Sequence, residues 1–366
     1  VTKNVSRRQF VGAAAGVLAS TALPVRAWAA ASPFKIAVIS DEISQDFDHA
    51  CSVIANDFGL HYVELREMWG KNLQASSDAE IAEALKILAK YNLQVTDIAS
   101  PLFKVDWPGA PKSQYGSKGD MHGAAEVAYK QQDEVLDRSI SLAKQFKTNK
   151  IRCFDFWRLN DVAPYRAAIN EKLRTTAEIV GKQNLLLLIE NEFACNTGTG
   201  REAAKTLEAV QSPHFGLNWD AGNAVMRGEL DAFPGGWDAL PKNRIHHCHC
   251  KNAIKDAAGK IVWSPVDKGY VDWTAQFRAL KQVGYHDAVS ARNSLAGSGH
   301  ARSVQPNQLG GHEEMPHRLR NLLAVPPLQR CHPDPERNRI GKDLSISLLF
   351  PHTRQAPCLN LPRRKK

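Results

Sequence analysis

The stretch from residue 30 to residue 290 predicts an α/β fold, a (β/α)8 TIM barrel whose eighth βα unit is truncated. Three observations carry this reading. Short apolar, β-branched runs alternate with amphipathic stretches through eight units, the number a closed barrel needs. The clearest run, Leu185-Leu186-Leu187-Leu188-Ile189, is apolar without alternation, as strands covered on both faces of a parallel sheet are. Glu190, Asp220 and His249 then stand at the ends of three successive runs, at the face where such barrels carry their chemistry.

Taken in order, the chain begins with an address. Residues 1–29 hold Ser6-Arg7-Arg8-Gln9-Phe10-Val11, an apolar run from 11 to 23, and the small-x-small site Ala27-Trp28-Ala29. That is the layout of a twin-arginine (Tat) export signal, which delivers folded protein to the periplasm. The apolar run of about 13 residues falls short of the roughly 20 a bilayer span requires, so no stable membrane anchor is expected. Predicted barrel strands follow at 35–40, 62–66, 94–100, 150–155, 185–190, 215–220, 245–251 and 287–290. Helical periodicity lies between them at 78–91, 124–146, 165–181, 202–210 and 273–283. A doubly wound open sheet is the rival, but its glycine-rich first turn is replaced here by Asp41-Glu42-Ile43-Ser44-Gln45-Asp46.

The charge has to be located before it is interpreted. Lys and Arg number 47 against 38 Asp and Glu, a net of +9 that would suit a polyanionic partner. Residues 1–29 contribute four of the bases and no acid, and residues 291–366 a net of +8, so the 30–290 segment carries −3. No nucleic-acid partner is expected of that segment. Seven cysteines are too sparse for a disulfide scaffold, and Cys248 and Cys250, alternate residues of one strand, cannot bridge without distortion. Alternate strand residues without a fourth ligand nearby also argue against a zinc site at His246, Cys248 and Cys250.

From residue 291 the texture changes. Nine of the 19 prolines but only one aromatic, Phe350, fall in 291–366, too little apolar surface to offset the entropy of ordering. Reading permitted codons one base later after Ser290 restores an aromatic, amphipathic pattern that opens with Leu-Glu. The expectation is that 291–366 is an out-of-frame, disordered tail.

The strand ends carry the chemistry. Period-two alternation puts Leu186, Leu188 and Glu190 on one face, Gly216, Asn218 and Asp220 on one face, and His247 with His249 on one face. Pointing inward, two carboxylates and an imidazole would suit one divalent metal ion: Mn²⁺, Mg²⁺, Co²⁺ or Zn²⁺. Each of these residues alone is more often a cap or a packed side chain; three at equivalent positions are a different matter.

The segments Ile189-Glu190-Asn191-Glu192, Asn218-Trp219-Asp220-Ala221-Gly222-Asn223 and His247-Cys248-His249-Cys250-Lys251-Asn252 resemble the sugar phosphate isomerase/epimerase family of xylose isomerase-like barrels. So do Val38-Ile39-Ser40-Asp41-Glu42-Ile43 and Val63-Glu64-Leu65-Arg66. The resemblance covers 34–290. It implies a metal held by Glu190, Asp220 and His249 and a fourth ligand, a Glu on strand eight, where this chain reads Ala291-Arg292. It also implies a small sugar or sugar-phosphate substrate, proton transfer through an enediolate, and Glu190 as one catalytic acid or base. Asn223 and Lys255 are candidate substrate contacts, though a turn residue and a solvated charge are the simpler readings. Glu64 and Arg66 are either substrate contacts or a structural ion pair. Homo-oligomerisation is left open.

Within enzymes, the resemblance also accommodates an inosose dehydratase or a hydroxypyruvate isomerase. A DNA-repair endonuclease of the wider superfamily would need more clustered histidines than 246, 247 and 249. A non-catalytic binding barrel is the remaining alternative, because Arg292 turned inward would oppose a cation, weaken metal binding and slow turnover.

Overall fold

In a computed structural model of the chain, residues 32–116 and 129–292 are described. The expected export signal over 1–29 and the residues from 293 onward lie outside the described residues, as does the start of the helix expected over 124–146. Eight parallel strands form the barrel: β1 (Lys35–Val38), β2 (Tyr62–Leu65), β3 (Gln94–Leu102), β4 (Lys150–Cys153), β5 (Leu186–Glu190), β6 (Phe215–Asp220), β7 (Ile245–Cys250) and β8 (Ala288–Ala291). Neighbours in sequence are neighbours in the sheet, and β8 pairs with β1 in register Lys35 to Ala288 through Val38 to Ala291. A single parallel bridge from Ile39 to Glu64 joins β1 to β2 and completes the ring.

Every strand expected from the sequence is present, with ends displaced by a residue or two. The last strand runs one residue past Ser290: Ala291 pairs with Val38 on one side and Cys250 on the other, as a small apolar residue can in a buried strand.

The helices form because their caps and apolar faces agree. In α1 (Phe47–Ser52), Asp46 accepts the His49 N–H at the N-terminus. In α2 (Asp78–Lys90), Ser77 and Glu80 form a reciprocal capping box, and Ile81, Ala84, Ile87 and Leu88 face the barrel. Then come α3 (Gln132–Gln145), α4 (Ala163–Gly181) with Pro164 in its first turn, and α5 (Gly200–Ala209), where Thr199 and Glu202 repeat the capping box. The short α6 (Ala221–Met226) leaves β6 directly, and α7 (Trp273–Gln282) is capped by Asp272. Asn92, Lys147, Asn184 and Gly284, all at positive φ, follow α2, α3, α4 and α7 and turn the chain back toward the next strand.

The base of the barrel is closed by charge. Lys150 at the start of β4 is buried and reaches Asp287 just before β8 at 2.5 Å, with His246 Nδ1 3.6 Å from the other carboxylate oxygen. Among the described residues the cysteines, Cys51, Cys153, Cys195, Cys248 and Cys250, are free and buried, and no helix is long and apolar enough to cross a membrane.

Candidate functional site

Glu190 and Asp220 end β5 and β6 and His249 is the last residue but one of β7; Asp220 pairs with His249, while Glu190 pairs with Asn218, two residues before Asp220 on the same strand face. All three side chains are buried, and their ligand-capable atoms lie within 4.8 Å of one another. His249 Nδ1 is 3.1 Å from Glu190 Oε1 and 3.4 Å from Asp220 Oδ2. The three expected ligands therefore meet at one point at the C-terminal mouth of the barrel.

Local chemistry holds each of them. Asn191, one residue past the strand, donates from Nδ2 to the Asp220 carbonyl at 2.7 Å and accepts the Asp220 N–H on Oδ1 at 2.8 Å, which clamps the ends of β5 and β6 together. Asp220 caps α6, accepting the Asn223 N–H on Oδ1 at 2.8 Å, so its other oxygen is left for the site. Asp220 is thus a helix cap whose second oxygen still faces the cluster. Oδ2 lies 3.0 Å from Lys251 Nζ and 3.4 Å from His249 Nδ1, yet it accepts no well-aligned hydrogen bond.

On its other ring nitrogen His249 faces Glu64, 3.1 Å away, and the Asn218 side chain at 3.0 Å. Glu64 thus lies directly behind the imidazole. Below it, His247 lies between Glu64 at 3.4 Å and Asp97 at 3.6 Å, fully buried, with neither ring nitrogen in a well-formed hydrogen bond. The barrel axis is therefore a ladder of polar groups from Asp97 to Glu190, where an ordinary barrel interior is filled by branched aliphatics.

These charges set one another. Burial would lower the His249 pKa, but Glu64 and Glu190 reverse that and raise it to about 10. Burial would raise Glu190; His249 and Arg152 outweigh it and hold the carboxyl well below the usual range. Glu64 is held down in the same way, against burial, by His249 and His247. Asp97 goes up, through burial and then the repulsion of Glu64.

Of the other expected contacts, Asn223 is in the site, donating to Glu190 Oε1 at 3.1 Å and accepting from Lys251 at 3.2 Å. Arg66 is buried in an ion pair, with Asp41 at 2.6 Å and Glu42 at 3.4 Å rather than with Glu64, which faces the histidines instead. Lys255 takes no part: β7 ends at Cys250, and the hairpin Asn252–Lys255 with Ile261–Ser264 carries Lys255 out to solvent. The lysine of the site is Lys251. Gly222 makes that possible, because a Cβ there would lie 2.5 Å from Lys251 Cβ and 2.9 Å from its carbonyl carbon.

Sequence reasoning passed over Lys251 and Arg152. Arg152 donates to the carbonyls of Ala99 at 2.9 Å and Ser100 at 3.3 Å, which aims its Nη1 at Glu190 Oε2, 3.1 Å away. A charged residue inside the apolar run Lys150-Ile151-Arg152-Cys153 was the available signal. Arg292 turns inward: Nε is 2.7 Å from Glu42 Oε1 and Nη1 is 3.2 Å from His249 Nδ1. Burial alone would lower its pKa, but Glu42, Glu190, Glu64 and Asp220 together raise it.

A family model described as xylose isomerase-like TIM barrel matches residues 53–300. No curated protein sequence matches the chain significantly. Among solved structures, the probable 3-DHS dehydratase AsbF of petrobactin synthesis from Bacillus anthracis is 19% identical, with a TM-score of 0.57 over 79% of this chain and 98% of that one. A xylose isomerase-like TIM barrel protein from Mycobacterium smegmatis, in complex with magnesium, is 17% identical with a TM-score of 0.54 over 81% and 97%. A D-psicose 3-epimerase, solved in the presence of D-fructose, is 19% identical with a TM-score of 0.54 over 80% and 97%. At such identities the likeness is one of fold.

Proposed function

Because the chain belongs to the xylose isomerase-like TIM barrel family, we propose that it is a sugar or sugar-phosphate isomerase or epimerase. It moves a proton at the carbon next to a carbonyl and uses one divalent ion, Mn²⁺, Mg²⁺, Co²⁺ or Zn²⁺, held by Glu190, Asp220 and His249. The observation that carries the reading is the convergence of those three buried side chains within 4.8 Å. Two carboxylate oxygens and an imidazole nitrogen suit such an ion. Asp220 Oδ2, buried and without a well-formed hydrogen bond, is an oxygen with capacity to bind one.

Bound there, the ion would supply a Lewis acid for the substrate carbonyl. The chain's own residues do the rest. Glu190, kept ionised by His249 and Arg152, is the proton acceptor and later the donor. Asn223 on Oε1 and Arg152 on Oε2 fix the plane of its carboxylate. Lys251, between Asp220 and Asn223, places a further positive charge beside the site. An inosose dehydratase-like or hydroxypyruvate isomerase-like reaction would start from the same proton abstraction. A second reading, a catalytically impaired binding barrel, is favoured by one observation, the Arg292 guanidinium against His249. Export through the twin-arginine route to the periplasm is part of the proposal, and cell fractionation of the full chain with and without Arg7→Lys and Arg8→Lys tests it.

The test of the chemistry is solvent exchange. Protein supplied with Mn²⁺ is incubated with ketohexoses and pentulose phosphates in D₂O, and deuterium next to the carbonyl is followed by NMR. Exchange that is lost in Glu190→Gln is expected; no exchange on any of these ketoses would overturn the reaction class.

A further inference from the structure

We propose that Arg292 is a resident competitor for the cation position, its guanidinium and a divalent ion being alternative occupants of the corner made by Glu190, Asp220 and His249. The inference rests on the metal-centre reading above and adds to it a device that decides how tightly the ion is held. Its basis is one atom. His249 Nδ1, the nitrogen that faces Glu190 Oε1 at 3.1 Å and Asp220 Oδ2 at 3.4 Å, is also 3.2 Å from Arg292 Nη1. A ring nitrogen has a single in-plane lone pair. An ion needs that lone pair free of its proton and approachable, and Arg292 Nη1 lies against the same nitrogen at 3.2 Å.

The charge balance of the pocket supports the exchange. Glu42, Glu64, Glu190 and Asp220 all draw Arg292 inward, and its side chain is 7% exposed. A guanidinium in this field already supplies positive charge that a metal would otherwise bring, so an incoming ion meets a like charge beside His249, one of its three ligands. Departure needs only side-chain rotation. The backbone is pinned by the Arg292 N–H to the Cys250 carbonyl at 3.2 Å, and Glu42, 2.7 Å from Nε, anchors the docked guanidinium, so undocking turns the rigid plane as a whole and gives up that contact.

The size of the effect follows from occupancy. Apparent affinity falls by the fraction of molecules competent to bind, so a guanidinium docked in about nine of ten molecules raises the apparent Kd about tenfold, and one docked in about ninety-nine of a hundred raises it about a hundredfold. The experiment is a calorimetric titration of Mn²⁺ into the full chain after chelator treatment, comparing wild type with Arg292→Met, which keeps most of the apolar stem. The variant should bind about tenfold to a hundredfold more tightly, and Glu190→Gln in the same background should abolish the gain. Equal, tight binding by wild type and variant would overturn the competition and leave the metal centre standing. No binding by either would overturn both. Should Arg292→Met not fold by circular dichroism, Glu42→Gln loosens the same arginine from its anchor; a tighter Kd supports the proposal and an unchanged one overturns it.

Discussion

Replacing Asn191 by Ala should destabilise the barrel by about 2–6 kcal/mol although its side chain meets only the backbone of Asp220 in the site. Asn191 is fully buried, and its amide makes both of the bonds that tie the end of β5 to the end of β6. With alanine there, the Asp220 N–H and carbonyl both lose the partner that Asn191 provides. A buried polar group left unsatisfied costs about 1–3 kcal/mol, and two are affected. For a domain of this size each kcal/mol moves Tm by roughly 2–4 °C, so a drop of about 8–16 °C is expected near the middle of the range. Thermal melting by circular dichroism measures it. Asn191→Asp keeps the acceptor for the Asp220 N–H and loses only the donor, so it should fall between wild type and alanine. A loss below about 0.5 kcal/mol, the scale of an ordinary surface change, would show that the clamp does not hold the two ligand-bearing strands in register.

Three further outcomes follow from the same geometry. Asp287, whose pKa is held at about 2 against burial by His246 and Lys150, contributes stability that is present above its ordinary value of 3.8 and is lost as pH falls toward 2; Asp287→Asn should flatten the acid limb of a stability–pH curve in that window. Gly222→Ala forces a Cβ to within 2.5 Å of Lys251 Cβ and should cost about 1–3 kcal/mol by overpacking, read by urea denaturation, while moving Lys251 off Asp220. Lys255→Ala, at an exposed hairpin position, should leave both Tm and the Mn²⁺ affinity as in wild type, whereas a changed affinity would return Lys255 to the site.

The strands were legible because burial on both faces writes itself as uninterrupted apolar runs such as Leu186 to Ile189, and their ends were legible because Glu190, Asp220 and His249 interrupt that pattern where each strand meets the mouth. Lys251 and Arg152 were not. A lysine after a strand reads as a solvated charge, and only the close approach permitted by Gly222 buries it. Arg152 reads as a flaw in a strand until the carbonyls of Ala99 and Ser100, from a neighbouring strand, are seen to receive it. For Lys255 the simpler reading, a solvated charge, agrees with its exposed place on the hairpin, which distance from His249 along the chain could not specify.

By itself the sequence determined the fold class, the eight strands and the three residues that meet at their ends, because periodicity and register are local properties that repeat along the chain. It also located the basic charge outside the barrel segment, which argues against a polyanionic partner for that segment. Only the tertiary structure decided the direction of Arg292. Nothing in Ala291-Arg292 states whether the side chain faces solvent or the barrel mouth; that depends on Glu42, 250 residues earlier, together with Glu64, Glu190 and Asp220 on three different strands. Their summed field, in a site with little water to screen it, draws the guanidinium inward to the imidazole that the metal would need.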